Sequence, residues 1–292
     1  MDKEMHESSD NKFIPMSSIE SRTGQAVRED VYYYTDQIAN ICFIGAPTDE
    51  KWVLIDAGLP TAASEIKAVV KERYGEHRKP AAIILTHGHF DHVGGLVDLV
   101  QEWDVPVYAH ELELPFLTGK ERYPEPDSTV EGGLLAKISP MYPNEPINLG
   151  DNIKPLPADN SVPELSNWKW VHTPGHSAGH VSFFREKDAL LLSGDAFITV
   201  RQDSVYNVLM QNKEINGPPR YLTTDWQAAW DSVKKLADLK PNIVVPGHGR
   251  FMEGQELTEG LNKLVTEFDR LAIPDYGKYV DDGVDEGNNR IT

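Results

Sequence analysis

Four metal-competent side chains fall within six residues of this 292-residue chain, in His87-Gly88-His89-Phe90-Asp91-His92. They follow the apolar run Ala82-Ile83-Ile84-Leu85, and such a cluster at the end of a strand-like run is a poor way to build a core. Imidazole and carboxylate are costly to bury unpaired, and a divalent cation satisfies several of them at once. Three more candidates lie just beyond later hydrophobic stretches. They are His176 in Thr173-Pro174-Gly175-His176, Asp195 in Ser193-Gly194-Asp195, and His248 in Pro246-Gly247-His248-Gly249. Several strand ends delivering these seven groups to one sheet edge would make a metal site. The all-nitrogen-and-oxygen donor set suits zinc, and also iron or manganese.

The elements that must position these groups alternate along the chain. Strand-like runs rich in β-branched or aromatic residues are read at 31–34, 41–44, 52–55, 83–85, 105–108, 168–171, 181–184, 190–192 and 243–245. Helical periodicity is read over 62–74, where Ile66, Val69, Val70 and Tyr74 share a face, and again over 94–103, 226–239 and 257–271. Asp225 before Trp226 offers an N-cap. Two strand-rich halves, each followed by helices, predict two sheets packed together with helices outside.

Two stretches depart from this pattern. Residues 111–165 carry many prolines and charges, and residues 199–224 are irregular up to Gly217-Pro218-Pro219-Arg220-Tyr221. Both neighbour candidate ligands and are read as substrate-covering loops. Phe116, Tyr142, Tyr206, Met210 and Trp226 are candidates to line a partly apolar pocket beneath them. The expected organisation is a flexible N-terminal arm over 1–25, one catalytic domain over 26–273 and an acidic tail over 274–292.

The formal net charge is -18 and the pI about 4.9, which should repel nucleic acid and anionic membranes. The start, Met1-Asp2-Lys3-Glu4, has no apolar core of the kind a signal peptide needs, and no uncharged run is long enough to span a bilayer. A cytoplasmic protein is expected, acting on a small molecule, with no nucleic-acid or membrane partner and with a homodimer as one open arrangement. The single cysteine, Cys42 in Ile41-Cys42-Phe43-Ile44, excludes an intramolecular disulfide and reads as a core residue.

The run His-x-His-x-Asp-His, followed at a distance by His, Asp and His in that order, resembles the metallo-β-lactamase-fold hydrolase superfamily. The resemblance covers about residues 30–270 and includes the upstream strand-turn element Leu54-Ile55-Asp56-Ala57-Gly58. It implies an α/β (α+β) fold, a four-layer αββα sandwich of two mixed sheets flanked by helices. It places His87, His89 and His176 on a first divalent metal, Asp91, His92 and His248 on a second, and Asp195 between them. Zinc is the first expectation for both ions. The reaction implied is hydrolysis by a metal-bridging hydroxide, with Asp91 doubling as proton donor to the leaving group.

Within that superfamily the sequence points to a small ester, lactone or thioester. The branch expected is glyoxalase II-like or lactonase-like, although the basic glutathione-binding pattern is not identifiable. The best-known acyl-homoserine lactonases carry a tyrosine three residues after the bridging aspartate, where this chain has Ile198, leaving Tyr206 or Tyr221 as substitutes. The alternatives are a phosphodiesterase of small phosphoesters, or an iron-dependent redox enzyme of the persulfide dioxygenase kind. His180 and Asp56 are candidates to orient ligands from behind, whereas His6, His77, His110 and His172 read as solvated or structural.

Overall fold

Period-two alternation along the central strands decides the layering. The computed structural model describes residues 5–10, 18, 20–131, 133–200 and 213–280, without the side chains of 133–135 and 213. Strand β3 (Ala39–Ile44) turns Ile41 and Phe43 to one face and Cys42 and Ile44 to the other. Strand β11 (Leu190–Gly194) likewise sends Leu191 one way and Leu190 and Leu192 the other. A sheet apolar on both faces needs cover on both. Between the sheets, Cys42, Ile44 and Ile84 meet Trp168, Phe183 and Leu192. Outside, the helices Ala62–Tyr74 and Leu96–Trp103 cover the first sheet, and Trp226–Asp238 and Gly254–Thr266 cover the second. The expected αββα arrangement is therefore present.

The first sheet runs in chain order. It comprises β1 (Thr23–Arg28), β2 (Val31–Asp36), β3, β4 (Val53–Ile55), β5 (Ala82–Ile84), β6 (Val107–Ala109) and β7 (Ile153–Pro155). Its first four strands are antiparallel, and β4 through β7 are parallel. The second sheet has the order β15-β14-β11-β10-β9-β8. Its members are β8 (Ser161–Val162), β9 (Leu165–His172), β10 (Val181–Arg185), β11, β14 (Ile243–Pro246) and β15 (Met252–Glu253). Parallel pairing of β4 with β5 and of β11 with β14 puts four chain segments out of the sheets at like ends. Those segments carry Asp56, His87, Asp195 and His248.

All nine strands read from the sequence are present. The helix over 226–238 is capped as expected, Asp225 accepting a 2.9 Å bond from the Ala228 amide. Several boundaries differ. The stretch 111–165 is not one irregular cover: it holds the short helices Leu114–Leu117 and Gly133–Ile138, and from Ile153 onward it supplies β7 and β8. Within 199–224, β12 (Ile198–Val200) pairs with β13 (Lys213–Asn216), and the positions of Tyr206 and Met210 lie outside the described residues.

The arm boundary moves as well, because β1 starts at Thr23 and its described predecessors are docked. The His6 and Asn148 backbones exchange bonds of 3.1 and 3.0 Å, and Asp10 accepts from the Asn144 amide. At the other end, Tyr279 donates to the Glu125 carbonyl at 2.8 Å, while residues 281–292 lie outside the described residues. Among the described residues no helix is long and apolar enough to cross a membrane.

One buried acid in β2 sets a pH dependence of stability. Burial lifts the Asp36 carboxyl from its ordinary 3.8 to about 6, against the hydrogen bond it accepts from the Leu59 amide. Between those values the native state holds a proton that the unfolded chain has released, so stability falls as pH rises. Asp36→Asn should remove this contribution and be more stable than the parent above pH 6, by up to about 3 kcal/mol. Guanidinium unfolding from pH 4 to 7.5 checks it, and parallel curves for the two proteins would refute it.

Candidate metal centre

The seven candidate side chains meet at the mouth between the two sheets. His87 follows β5, and Asp91 and His92 lie in the single helical turn Phe90–Val93 with His89 at its N-cap. His176 sits in the β9–β10 connection, while Asp195 and His248 follow β11 and β14. One ligand atom from each of His87, His89 and His176 lies within 4.8 Å of the others, as holds for Asp91, His92 and His248 and for His87, His92 and Asp195. Asp195 touches both groups. Its Oδ2 is 3.1 Å from His248 Nε2 and 3.4 Å from His176 Nε2, and its Oδ1 is 3.6 Å from His92 Nε2.

Outer partners orient these rings. His248 Nδ1 donates to the Ile38 carbonyl at 3.0 Å, and His92 Nδ1 to Asp56 Oδ2 at 2.9 Å. The Thr223 hydroxyl donates to the Pro219 carbonyl, leaving its oxygen to accept from His176 Nδ1 at 3.2 Å. Thr86 repeats the pattern by donating to Asp56 and accepting from His87 Nδ1 at 3.0 Å. With Nδ1–H directed outward, the Nε2 lone pairs of these four rings face inward. His89 is reversed and turns Nδ1 inward, 2.9 Å from His176 Nε2.

Asp56 thus joins Thr86 to His92 and also accepts from the Thr86 amide at 2.8 Å. His180 takes no place among the seven. Its Nε2 accepts from the Asp195 amide at 2.9 Å, with Nδ1 2.8 Å from the Thr173 hydroxyl, so it holds the backbone that presents Asp195. Gly247 allows close approach on the other side, since a Cβ there would strike Asp195 Oδ1.

The electrostatics divide the cluster. Burial and neighbouring imidazoles hold His87 well below its ordinary value, and burial brings His89 down to about 4. Burial opposes charging of His92 and His248 too, but Asp195 and its fellow carboxylates win, holding His92 well above its usual range and pushing His248 up to about 10. Burial likewise works against ionisation of Asp195, yet His248 and His92 keep it well below the carboxylate range. The carboxylates therefore favour positive charge at this end of the cluster, which a divalent cation would supply to neutral rings.

Divalent ions fit this donor set. His87 Nε2, His92 Nε2, Asp91 Oδ1 and Asp195 Oδ1 are buried with no hydrogen-bond partner, a costly state that coordination relieves.

Glu113 is a residue the sequence reading missed. Fully buried, it accepts from the Gly88 amide at 3.0 Å, the Gly179 amide at 2.8 Å and the Ser177 hydroxyl at 2.7 Å, and also from the Tyr123 hydroxyl. Burial raises its carboxyl above the ordinary value against these four bonds. It ties the loop of His87 and His89 to the loop of His176.

Of the proposed pocket residues, Phe116 and Tyr142 line a cleft beside His89. Trp226 does not, being packed with Phe197 and Val233 under the outer helices. Tyr221 is buried behind Tyr142, with ring centroids 5.7 Å apart. His110 and His172 stack on each other at 4.3 Å, outside the cluster.

A family model described as the metallo-beta-lactamase superfamily matches residues 34–248. The probable metallo-hydrolase YflN of Bacillus subtilis is 44% identical over 257 residues, covering 86% of this chain and 97% of the relative. A hydroxyacylglutathione hydrolase of Bdellovibrio bacteriovorus is 31% identical over 165 residues, covering 56% of this chain and 47% of that protein. Among solved structures, TTHA1623 in a di-iron-bound form is 31% identical with a TM-score of 0.50, covering 74% of this chain and 89% of its own. The BLEG-1 B3 metallo-beta-lactamase is 25% identical with a TM-score of 0.52, covering 78% and 91%. With a family match over most of its length, two sheets in the required order and a His/Asp cluster at their mouth, the chain belongs to the metallo-beta-lactamase superfamily.

Proposed function

We propose that the protein is a binuclear metal-dependent hydrolase of a small ester, lactone or thioester. The observation that carries the reading is the set of four unpartnered buried atoms, three in the two triads and the fourth on Asp195, which adjoins both. On this reading His87, His89 and His176 hold one divalent ion, Asp91, His92 and His248 hold the other, and Asp195 reaches both. Zinc suits the donors, and the relative in a di-iron-bound form supports iron as the second choice.

When bound, a pair of such ions supplies Lewis acidity and a water acidified towards neutrality. The chain's own residues do the rest. Asp195 places a negative charge where two cations would repel, and its position is fixed through His180. Asp56, Thr86, Thr223 and the Ile38 carbonyl hold four rings in the tautomer that turns a lone pair inward. His89 and Asp91 are 6% and 4% exposed, against 1% or less for the other five, so substrate enters on their side. Asp91 is accordingly the group that would take a proton from the attacking water and pass it to the leaving atom.

The hydroxyacylglutathione hydrolase relative supports a thioester among the substrates, and the net charge of -18 argues for a small molecule over nucleic acid. The test is metal analysis with a hydrolysis panel of lactones, thioesters, aryl esters and phosphodiesters on zinc-, manganese- and iron-loaded protein. The expected result is two ions per chain and chelator-sensitive cleavage of at least one acyl substrate. Full activity in metal-free protein would overturn the reading, cleavage of phosphodiesters alone would replace the bond type, and oxygen consumption by the iron form without hydrolysis would replace the reaction.

A further inference from the structure

The cleft beside His89 has a composition that sorts substrates. Its wall is apolar where it leaves the metal cluster: Phe90, Val97, Phe116, Ile147 and Leu222 face it, with Tyr142 closing one side. The Tyr123 ring packs edge-on against His89 at 4.6 Å and stacks on Phe116 at 4.1 Å, so the wall continues directly from a candidate ligand. Among the described residues no lysine or arginine lines this cleft, whereas Glu7 and Glu145 do. Glu145 is paired with Arg122, which leaves the lip without a spare positive charge from that pair.

The N-terminal segment completes the wall. Glu7 and Ser8 line the cleft, and the segment is held there by the His6–Asn148 backbone pair and by Asp10, which accepts from the Asn144 and Glu145 amides. A stretch that reads as a loose arm therefore supplies one side of the pocket.

We infer that the cleft beside His89 holds an uncharged, apolar arm of the substrate and rejects anionic acyl carriers. An apolar wall rewards each methylene removed from water, and an anion would have to be desolvated against that wall with no lysine or arginine among the described lining residues to receive it. The inference rests on the hydrolase reading for what the pocket is for, but its test needs no turnover.

The experiment is an NMR binding titration of the full chain with acetamide, butanamide and hexanamide, and with the adipamate monoanion, which matches hexanamide in length but ends in a carboxylate. Binding should tighten about fourfold per added methylene, and hexanamide should bind at least about tenfold more tightly than adipamate, because the carboxylate loses water without gaining a cationic partner. Phe116→Ala, at a half-buried position, should flatten the chain-length series, and Glu145→Lys should narrow the gap between hexanamide and adipamate. Chain-length-independent binding, or adipamate binding as tightly as hexanamide, would overturn the inference. Chain-length-dependent binding in a protein that hydrolyses nothing would keep the pocket and sink the reaction. Hydrolysis without that dependence would do the reverse.

Discussion

Asp195→Asn is expected to reduce turnover by more than the roughly 10–100-fold that loss of an outer partner costs at a metal site, and to lower the metal content below two ions per chain. The substitution keeps the side-chain volume and removes one formal charge. That charge lies within 3.6 Å of ring nitrogens from both triads, and Asp91 does not replace it, since its one ion-pair contact among the described residues is with His248 in its own triad, at 3.4 Å. With His180 still holding the backbone amide, the loop should remain in place and the protein should stay folded. Circular dichroism and inductively coupled plasma analysis alongside kcat/KM separate these effects. A folded variant retaining two ions and turnover within tenfold of the parent would show that Asp195 is not shared.

Glu113→Ala should produce the largest loss of stability, about 3–5 kcal/mol. Removing the carboxylate strands four buried donors at once, the amides of Gly88 and Gly179 and the hydroxyls of Ser177 and Tyr123. Each unsatisfied buried donor costs about 1–3 kcal/mol, and the sum is limited by relaxation of the two hydroxyls towards other acceptors. Glu113→Gln keeps one carbonyl oxygen and should recover part of the loss. Turnover should fall with Ala as well, because the two segments that Glu113 joins carry His87, His89 and His176. Denaturant unfolding is the decisive measurement, and an alanine variant within 1 kcal/mol of the parent would mean water replaces the carboxylate without cost.

Glu113 shows why some of this site could not be read from the chain. In Glu111-Leu112-Glu113 it sits in a charged, proline-bordered stretch of the kind that normally faces solvent. Its partners lie 25, 64 and 66 residues away, at Gly88, Ser177 and Gly179, and local pattern carries no record of such distances. The docked N-terminal segment is a similar case. Residues 5–10 are held by backbone bonds, by Asp10 and by the lone Met5 packed against the core, none of which leaves a hydrophobic periodicity to detect. Trp226 is the opposite case: an aromatic next to an irregular stretch is a candidate for pocket or packing alike, and the helix it begins turns it into the outer core.

Pattern along the chain was enough to set the layers and the candidates. Alternation in Ile41-Cys42-Phe43-Ile44 and in Leu190-Leu191-Leu192 requires a sheet buried on both faces, and the energy of burying apolar area depends little on which partner supplies the cover. Imidazoles and carboxylates placed at strand ends are so costly to leave unpaired that their types alone point to a cation. Tertiary structure decided which groups actually meet, which nitrogen of each ring faces inward, and what stands behind each one. Those outcomes depend on directional bonds a few tenths of an ångström long in tolerance, made between residues far apart in the chain.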